Sequence, residues 1–246
     1  MNVLVTGGRG VLGRRVVARL QASGHAARVA GRSGPVVLDL ATGVGLEAAV
    51  QGVEAVVHCA SHPSARDTRV VEVEGSARLA RAAREAGVGH LAYISIVGVD
   101  RVPLPYYRHK LHAERVIEDS GTPFSVLRAT QFFPFVERLL LAAPVMIAPR
   151  GFRAQPVDVD AVAARLVRAV DEGPGGRLTD LGGPEVREVA DLARALRAAR
   201  GLRRPVVRPW LPGAVVRAVR AGGLTCPDGD RAGPTWEEWL QASGRG

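Results

Sequence analysis

The chain has one lysine, two cysteines and few aromatic rings. Of its 33 basic side chains only Lys110 is a lysine; the others are arginines. A composition this skewed writes arginine wherever either cation will serve. The single lysine then marks a place where a guanidinium is too broad and a compact point charge is wanted. Cys59 and Cys226 offer neither the density of a disulfide framework nor metal-ligand spacing, and no histidine pair is backed by a carboxylate, so no metal site is expected. The longest apolar stretch, Leu139 to Ala148, is broken by Pro144 and falls short of a bilayer span. No charged segment followed by an apolar one precedes the run Val3-Leu4-Val5, which argues against secretion. The expected setting is soluble, reducing and cytoplasmic.

Aromatic residues make up 4% of the chain, too few to build a stacking platform for nucleic acid. The formal charge of +9 does not change that. The arginines are interleaved with acids along helical segments, as in Arg78, Arg81, Arg84, Glu85 and again in Arg187, Glu188, Asp191, Arg194, Arg197. This is the pattern of solvated helix faces and not of one basic stripe. An anionic cofactor accounts better for a few of them.

What is present is an alternation of short apolar runs with longer amphipathic ones. Strands are predicted at Asn2–Thr6, Ala26–Ala30, Val36–Leu38, Ala55–Cys59, Leu91–Ser95 and Phe124–Arg128. Helices are predicted at Val11–Ser23, Leu46–Gln51, Thr68–Ala86 and Lys110–Ser120. Such alternation reads as βαβ units, hence an α/β fold with a doubly wound parallel sheet. Further on, helices are expected at Thr130–Ala143, Asp158–Asp171 and Pro184–Arg200, with Arg177–Leu181 rejoining the sheet. The expected division is a nucleotide-binding core over residues 1–142 and a C-terminal segment, 143–246, forming a small substrate lobe.

The first strand runs into Thr6-Gly7-Gly8-Arg9-Gly10-Val11-Leu12-Gly13, which opens a helix. One glycine makes the tight turn, one lets the backbone approach a pyrophosphate, and one lets helix and strand pack closely. The pyrophosphate then sits on the helix N-terminus. An enzyme built for NAD places a carboxylate about 20 residues beyond the glycines, to bond the ribose 2′-hydroxyl. Here the second strand ends Val29-Ala30-Gly31-Arg32-Ser33 without one. Arg32, with Arg9 from the glycine loop, suits a 2′-phosphate, which predicts NADPH.

Three stretches carry a family resemblance: the spaced glycine loop; Tyr93-Ile94-Ser95-Ile96-Val97-Gly98 with Tyr106 and Lys110 after it; and Leu127-Arg128-Ala129-Thr130-Gln131-Phe132. Over roughly residues 1 to 200 the chain resembles the short-chain dehydrogenase/reductase superfamily, and within it the atypical, NmrA-like members. The resemblance implies that Asp39 and Leu40 flank the adenine, and that Ala60 and Ser61 line the ribose and pyrophosphate side. It also implies that Thr130 lies beside the nicotinamide, while Gln131, Phe132 and Phe133 wall a small-molecule pocket. In the superfamily the tyrosine gives a proton to the substrate as hydride arrives, the lysine lowers the tyrosine pKa and binds the nicotinamide ribose, and a serine polarises the carbonyl. Those roles fall to Tyr106, Lys110 and Ser95. The chain departs from the pattern at Ile96, where relatives often carry a second serine, and in having Tyr107 beside Tyr106 as the alternative donor. Pairing of two copies through the helices at 68–86 and 110–120 is a further implication. The expected activity is NADPH-dependent reduction of a carbonyl, quinone or conjugated double bond. The alternative is an NADP-binding redox sensor without turnover, as some NmrA-like proteins are.

Overall fold

A computed structural model describes residues 1–33, 35–61 and 68–244. In chain order the elements are β1 (Asn2–Thr6), α1 (Val11–Ala22), β2 (Ala26–Gly31), β3 (Val36–Val37), α2 (Leu46–Val50), β4 (Ala55–His58), α3 (Gly75–Glu85), β5 (His90–Ile96), α4 (Pro105–Glu118), β6 (Phe124–Ala129), α5 (Phe133–Leu140), β7 (Met146–Ile147), β8 (Arg153–Ala154), α6 (Val159–Glu172), β9 (Gly176–Arg177), β10 (Leu181–Gly182), β11 (Arg187–Glu188), α7 (Val189–Ala199), β12 (Val206–Val207), α8 (Ala214–Arg220), β13 (Asp230–Arg231) and α9 (Trp236–Ser243). A π-type turn at Val70–Glu74 leads into α3.

Two compact units emerge. The first comprises Met1–Ser95, Pro105–Arg128 and Val162–Leu178; the second comprises Ile96–Leu104, Ala129–Ala161 and Thr179–Gly246. The single boundary expected near residue 143 is replaced by a discontinuous division. Residues 162–178 return to the first unit, because Gly176 and Arg177 pair with Ser125 and Val126 of β6.

The strands of the first unit are ordered β6-β5-β4-β1-β2-β3, with β9 on the far side of β6. Its β1 pairs in parallel with both β2 and β4, so the order reverses there. Both faces of β1 are covered, and Val3, Leu4 and Val5 are fully buried, which is why the run is continuously apolar instead of alternating. The core of this unit is a cluster including Leu4, Leu38, Leu79, Leu91, Tyr93 and Ile117. Helix α4 is fixed to β6 by a buried fork, with Arg128 Nε and Nη2 donating to Glu114 at 2.8 and 2.6 Å. In parallel sheets of this kind, ligands bind beyond the carboxyl ends of the strands where the order reverses. That crevice lies past β1 and β4.

The second unit has its own core, built from Phe133, Val136, Leu140, Leu192, Leu196, Trp236 and Leu240 among others. Helix α9 begins with Thr235 and Glu238 satisfying each other's backbone N–H groups. Trp236 Nε1 donates to the Leu192 carbonyl at 3.1 Å. Short ladders join β7 to β12, β8 to β11, and β10 to β13.

Two helices differ from the predicted ones in ways that bear on the site. Helix α4 starts at Pro105 instead of Lys110, because a proline at a helix start forfeits no hydrogen bond. Tyr106 and Lys110 therefore share one helix. The stretch at 68–86 is not one uniform helix, since the π-type turn widens it over 70–74. The helix expected from Thr130 begins only at Phe133, because Phe132 bridges in extended form to Val157.

Candidate active site

The glycine loop is built as its spacing requires. Gly7 takes φ +66, and a Cβ there would stand 2.7 Å from the backbone of Ala60. A Cβ on Gly13 would strike the Gly7 carbonyl and come within 2.7 Å of Gly8 Cα, so this is the glycine that lets helix pack on strand. Gly10 is different. Its backbone is extended, φ −72 and ψ 174, and a Cβ would meet only the Gly7 carbonyl, at 3.1 Å. No side chain caps α1 and no acid stands in its first turn, so its N-terminal dipole faces open space.

That space is a cleft of about 390 Å³. Gly7, Arg9, Gly10, Arg32, Ser33, Asp39, Leu40, Ala60 and Ser61, all expected at the cofactor, line it together. Arg9 Nη1 donates to Ser33 Oγ at 3.1 Å, which ties the glycine loop to the end of β2 beside Arg32. Asp39 Oδ1 accepts from the Ala41 N–H at 2.9 Å, a local turn that holds the β3 exit. The glycine cradle, the uncapped helix and the paired arginines fit a dinucleotide with its phosphates on α1.

Other residues expected at the cofactor are not among those lining the cleft. Thr6 is buried, with Oγ1 2.7 Å from His58 Nδ1 and accepting from the Ala60 N–H at 3.4 Å. Leu12, in the first turn of α1, is buried, and Val11 is exposed. In the second unit, Thr130 is buried and donates to the Gln155 carbonyl at 2.5 Å. Phe133, expected to wall the substrate, belongs to that unit's core, its ring 5.4 Å from Trp236 and 5.3 Å from Trp239. Phe132 is half-buried, and the side-chain amide atoms of Gln131 are buried without a hydrogen-bond partner among the described residues.

The tyrosine and lysine meet a group that sequence reading did not single out. Tyr106 OH lies 2.6 Å from Ser61 Oγ, and Ser61 donates to Glu72 Oε1 at 2.6 Å. Lys110 Nζ stands 3.5 Å from Glu72 Oε2, donates to the Ile94 carbonyl at 2.8 Å and sits over the Tyr93 ring, 4.1 Å from its centroid. Lys110 and Glu72 are 3% and 1% exposed, so the ammonium is turned to these three takers and not to the cleft. Burial pulls the lysine pKa down, and Glu72 opposes that. Burial and then Glu72 push the Tyr106 phenol well above its ordinary value, with the Ser61 bond opposing. The sequence reading had Lys110 lowering this pKa. Burial first, and then the Glu72 carboxylate, turns the direction around. Tyr107, the alternative donor, has its ring buried at 8% exposure. Ser95 is buried, and its hydroxyl has no hydrogen-bond partner among the described residues.

Glu72 could have been found. It falls on the buried stripe of its helical segment with Ser76, Leu79, Ala80 and Ala83, where an acid is out of place. Its backbone is anchored as well. Ser76 Oγ donates to the Glu72 carbonyl at 2.5 Å and therefore accepts from His58 Nε2, 3.0 Å away. His58 is held neutral, its pKa lowered to about 3 by burial and by Lys110. Its ring bonds only within the fold, to Thr6 and Ser76. Among the described residues no group of three His, Cys, Asp or Glu could hold a metal, and no helix is long and apolar enough to cross a membrane.

Sheet order, glycine cradle and cleft together define a Rossmann-type dinucleotide-binding protein. The chain belongs to the NAD(P)H-binding family, which it matches over residues 7–172. It is 30% identical over 220 residues to a (4-alkanoyl-5-oxo-2,5-dihydrofuran-3-yl)methyl phosphate reductase of Streptomyces griseus, covering 79% of this chain and 73% of that one. It is 29% identical over 196 residues to an uncharacterized protein of Mycobacterium tuberculosis. That match covers 71% of this chain but 21% of the mycobacterial protein, so the chain spans about a fifth of that relative's length. In fold it is similar to an Escherichia coli NADPH-dependent quinone oxidoreductase solved with NADPH. There the TM-score is 0.77 at 21% identity, over 98% of this chain and 99% of the other.

Proposed function

We propose that the protein is a cytoplasmic, NADPH-dependent oxidoreductase that reduces a carbonyl, a quinone or a conjugated double bond of a small organic molecule. One observation carries this reading. Ser61 lines the nucleotide cleft and stands 2.6 Å from the Tyr106 hydroxyl, so a transferable proton sits at the edge of that cleft. The raised pKa keeps Tyr106 protonated at neutral pH, the form a reductase needs in its donor. The name of the Streptomyces relative, a reductase acting on an unsaturated lactone phosphate, supports the reductive direction and the conjugated double bond as a substrate class.

The phosphorylated dinucleotide is favoured by the donors at the β2 end. Arg9 and Arg32 supply guanidinium forks and Ser33 a hydroxyl, a set suited to a phosphate monoester. When bound, the nicotinamide supplies hydride. Tyr106 holds the proton that goes to the substrate, Ser61 fixes the direction of the phenol O–H, and α1 with its glycines holds the pyrophosphate.

The test is NADPH oxidation by purified protein across panels of aldehydes, quinones and enoates, with Tyr106→Phe beside the unmodified chain. Turnover on one class, lost in Tyr106→Phe, supports the reading. Tight NADPH binding with no oxidation on any panel refutes it and leaves a redox sensor.

A further inference from the structure

We propose that Glu72 is a positioning residue for proton delivery: it ends a hydrogen-bonded relay running through Ser61 to Tyr106, with Lys110 as its counter-ion. The inference rests on reading Tyr106 as the proton donor of a reductase.

The polarity of the relay follows from donor counting. An ionised carboxylate only accepts, so the one hydroxyl proton of Ser61 points at Glu72 Oε1, 2.6 Å away. Ser61 Oγ is then left as acceptor, and Tyr106 OH donates to it across 2.6 Å. The Ser61–Glu72 link has the length of a hydrogen bond strengthened by a charge. Glu72 is 1% exposed, and a carboxylate that deep is stable only with a counter-charge, which Lys110 Nζ supplies from 3.5 Å. The π-type turn that carries Glu72 is a distortion often found at functional sites.

Run in the reductive direction, the relay balances. As hydride forms the new C–H bond, the Tyr106 O–H bond breaks and its proton goes to the substrate. Tyr106 oxygen takes the proton of Ser61, and Ser61, which is exposed, takes one in turn from water. The products are the reduced substrate, an intact phenol, an intact hydroxyl and a hydroxide returned to solvent. The Glu72 carboxylate, with Lys110 beside it throughout, sets the direction of the Ser61 hydroxyl.

Two readouts test the relay, one of which needs no turnover. The chain has three tyrosines, and the Tyr106→Phe difference identifies Tyr106 in an ultraviolet tyrosinate titration of the nucleotide-free protein. Glu72→Gln should move that ionisation to lower pH by removing the negative field. Ser61→Ala should move it higher, because the Ser61 hydroxyl turns its proton to the phenolate once Tyr106 ionises and alanine has none to give. If Glu72→Gln leaves Lys110 unpaired and the chain unfolds, Glu72→Gln combined with Lys110→Met keeps the site neutral and is titrated in its place. An ionisation unmoved in these variants overturns the relay. In the reductase assay, Ser61→Ala should lower kcat by about a hundredfold with KM unchanged, and Ser61→Thr should restore it. Full kcat in Ser61→Ala overturns the relay while the reductase reading stands. If the unmodified chain oxidises no NADPH, the reductase reading falls, and the titration still decides whether Glu72 governs Tyr106.

Discussion

Gly10 offers the sharpest perturbation of the cofactor site, because its neighbours in the motif are needed by the fold and it is not. Its φ of −72 is open to any residue, and the single near contact of an added Cβ is the Gly7 carbonyl at 3.1 Å. Valine at this position should therefore leave the melting temperature within a few degrees of the unmodified chain. The branched side chain would, however, project into the cleft at the start of α1, where the pyrophosphate sits. A charged hydrogen bond contributes about 1.5–3 kcal/mol. Displacing the pyrophosphate from two backbone N–H groups then forfeits about 3–6 kcal/mol, or about a hundred- to ten-thousandfold in Kd. Gly13→Val is the control. Its Cβ falls on the backbone of Gly7 and Gly8, 2.7 Å from Gly8 Cα, so that variant should fail to fold. Calorimetric titration with NADPH, alongside thermal melts of both variants, separates the two glycines. Undiminished NADPH affinity in a folded Gly10→Val protein would show that the phosphates do not rest on this loop.

Arg32→Asp should level or reverse a preference for NADPH over NADH, measured as the ratio of the two dissociation constants; an unmodified chain that binds both equally refutes the assignment of the 2′-phosphate site. Lys110→Arg should lose at least about a hundredfold in turnover, and its melting temperature should fall as well. The broader guanidinium cannot occupy a 3% exposed position between Ile94, Tyr93 and Glu72, and unchanged values for both would mark the lysine as dispensable. His58 adds a pH dependence to stability. Its pKa falls from 6.5 in the unfolded chain to about 3 in the folded one, so the unfolded state binds more protons between those values. Stability should be complete above 6.5 and decline as pH falls toward about 3, by on the order of 4 kcal/mol. Urea titrations across this range should show the slope, and His58→Gln should flatten it.

Much of the first unit was legible in the sequence because its signals are local. Strand β1 occupies Asn2–Thr6 as predicted, since an apolar run buried on both faces and followed by glycine has few other readings. Arg9, Arg32 and Ser33 converge because a Rossmann turn and the next strand end are tied by fixed geometry. Glu72 was legible as an acid on a buried stripe but not as a partner of Tyr106, because the contact through Ser61 joins residues far apart in the chain and leaves no local signal. Phe133 was misplaced for a related reason. An aromatic residue after a strand end serves a pocket or a core equally well, and Trp236 and Trp239, about a hundred residues later, draw it into the core. A return to the sheet near Arg177 was legible, but the discontinuous course of the two units was not, because β9 is two residues long and carries no hydrophobic pattern.

The widened turn at Val70–Glu74 has a consequence for comparing sequences. A π-type turn holds one residue more than an α-turn, and each residue advances a helix by about 100°. Remove one residue from this segment and the helix can close into regular α form, with the face before the turn rotated against the face after it. The acid would then leave the buried stripe and turn toward solvent or toward another strand. Kinship in this site is therefore written in the spacing between the β4 exit and α3 as much as in the letter at position 72. A relative with a glutamate in an alignment column but a segment one residue shorter would carry the residue without the arrangement.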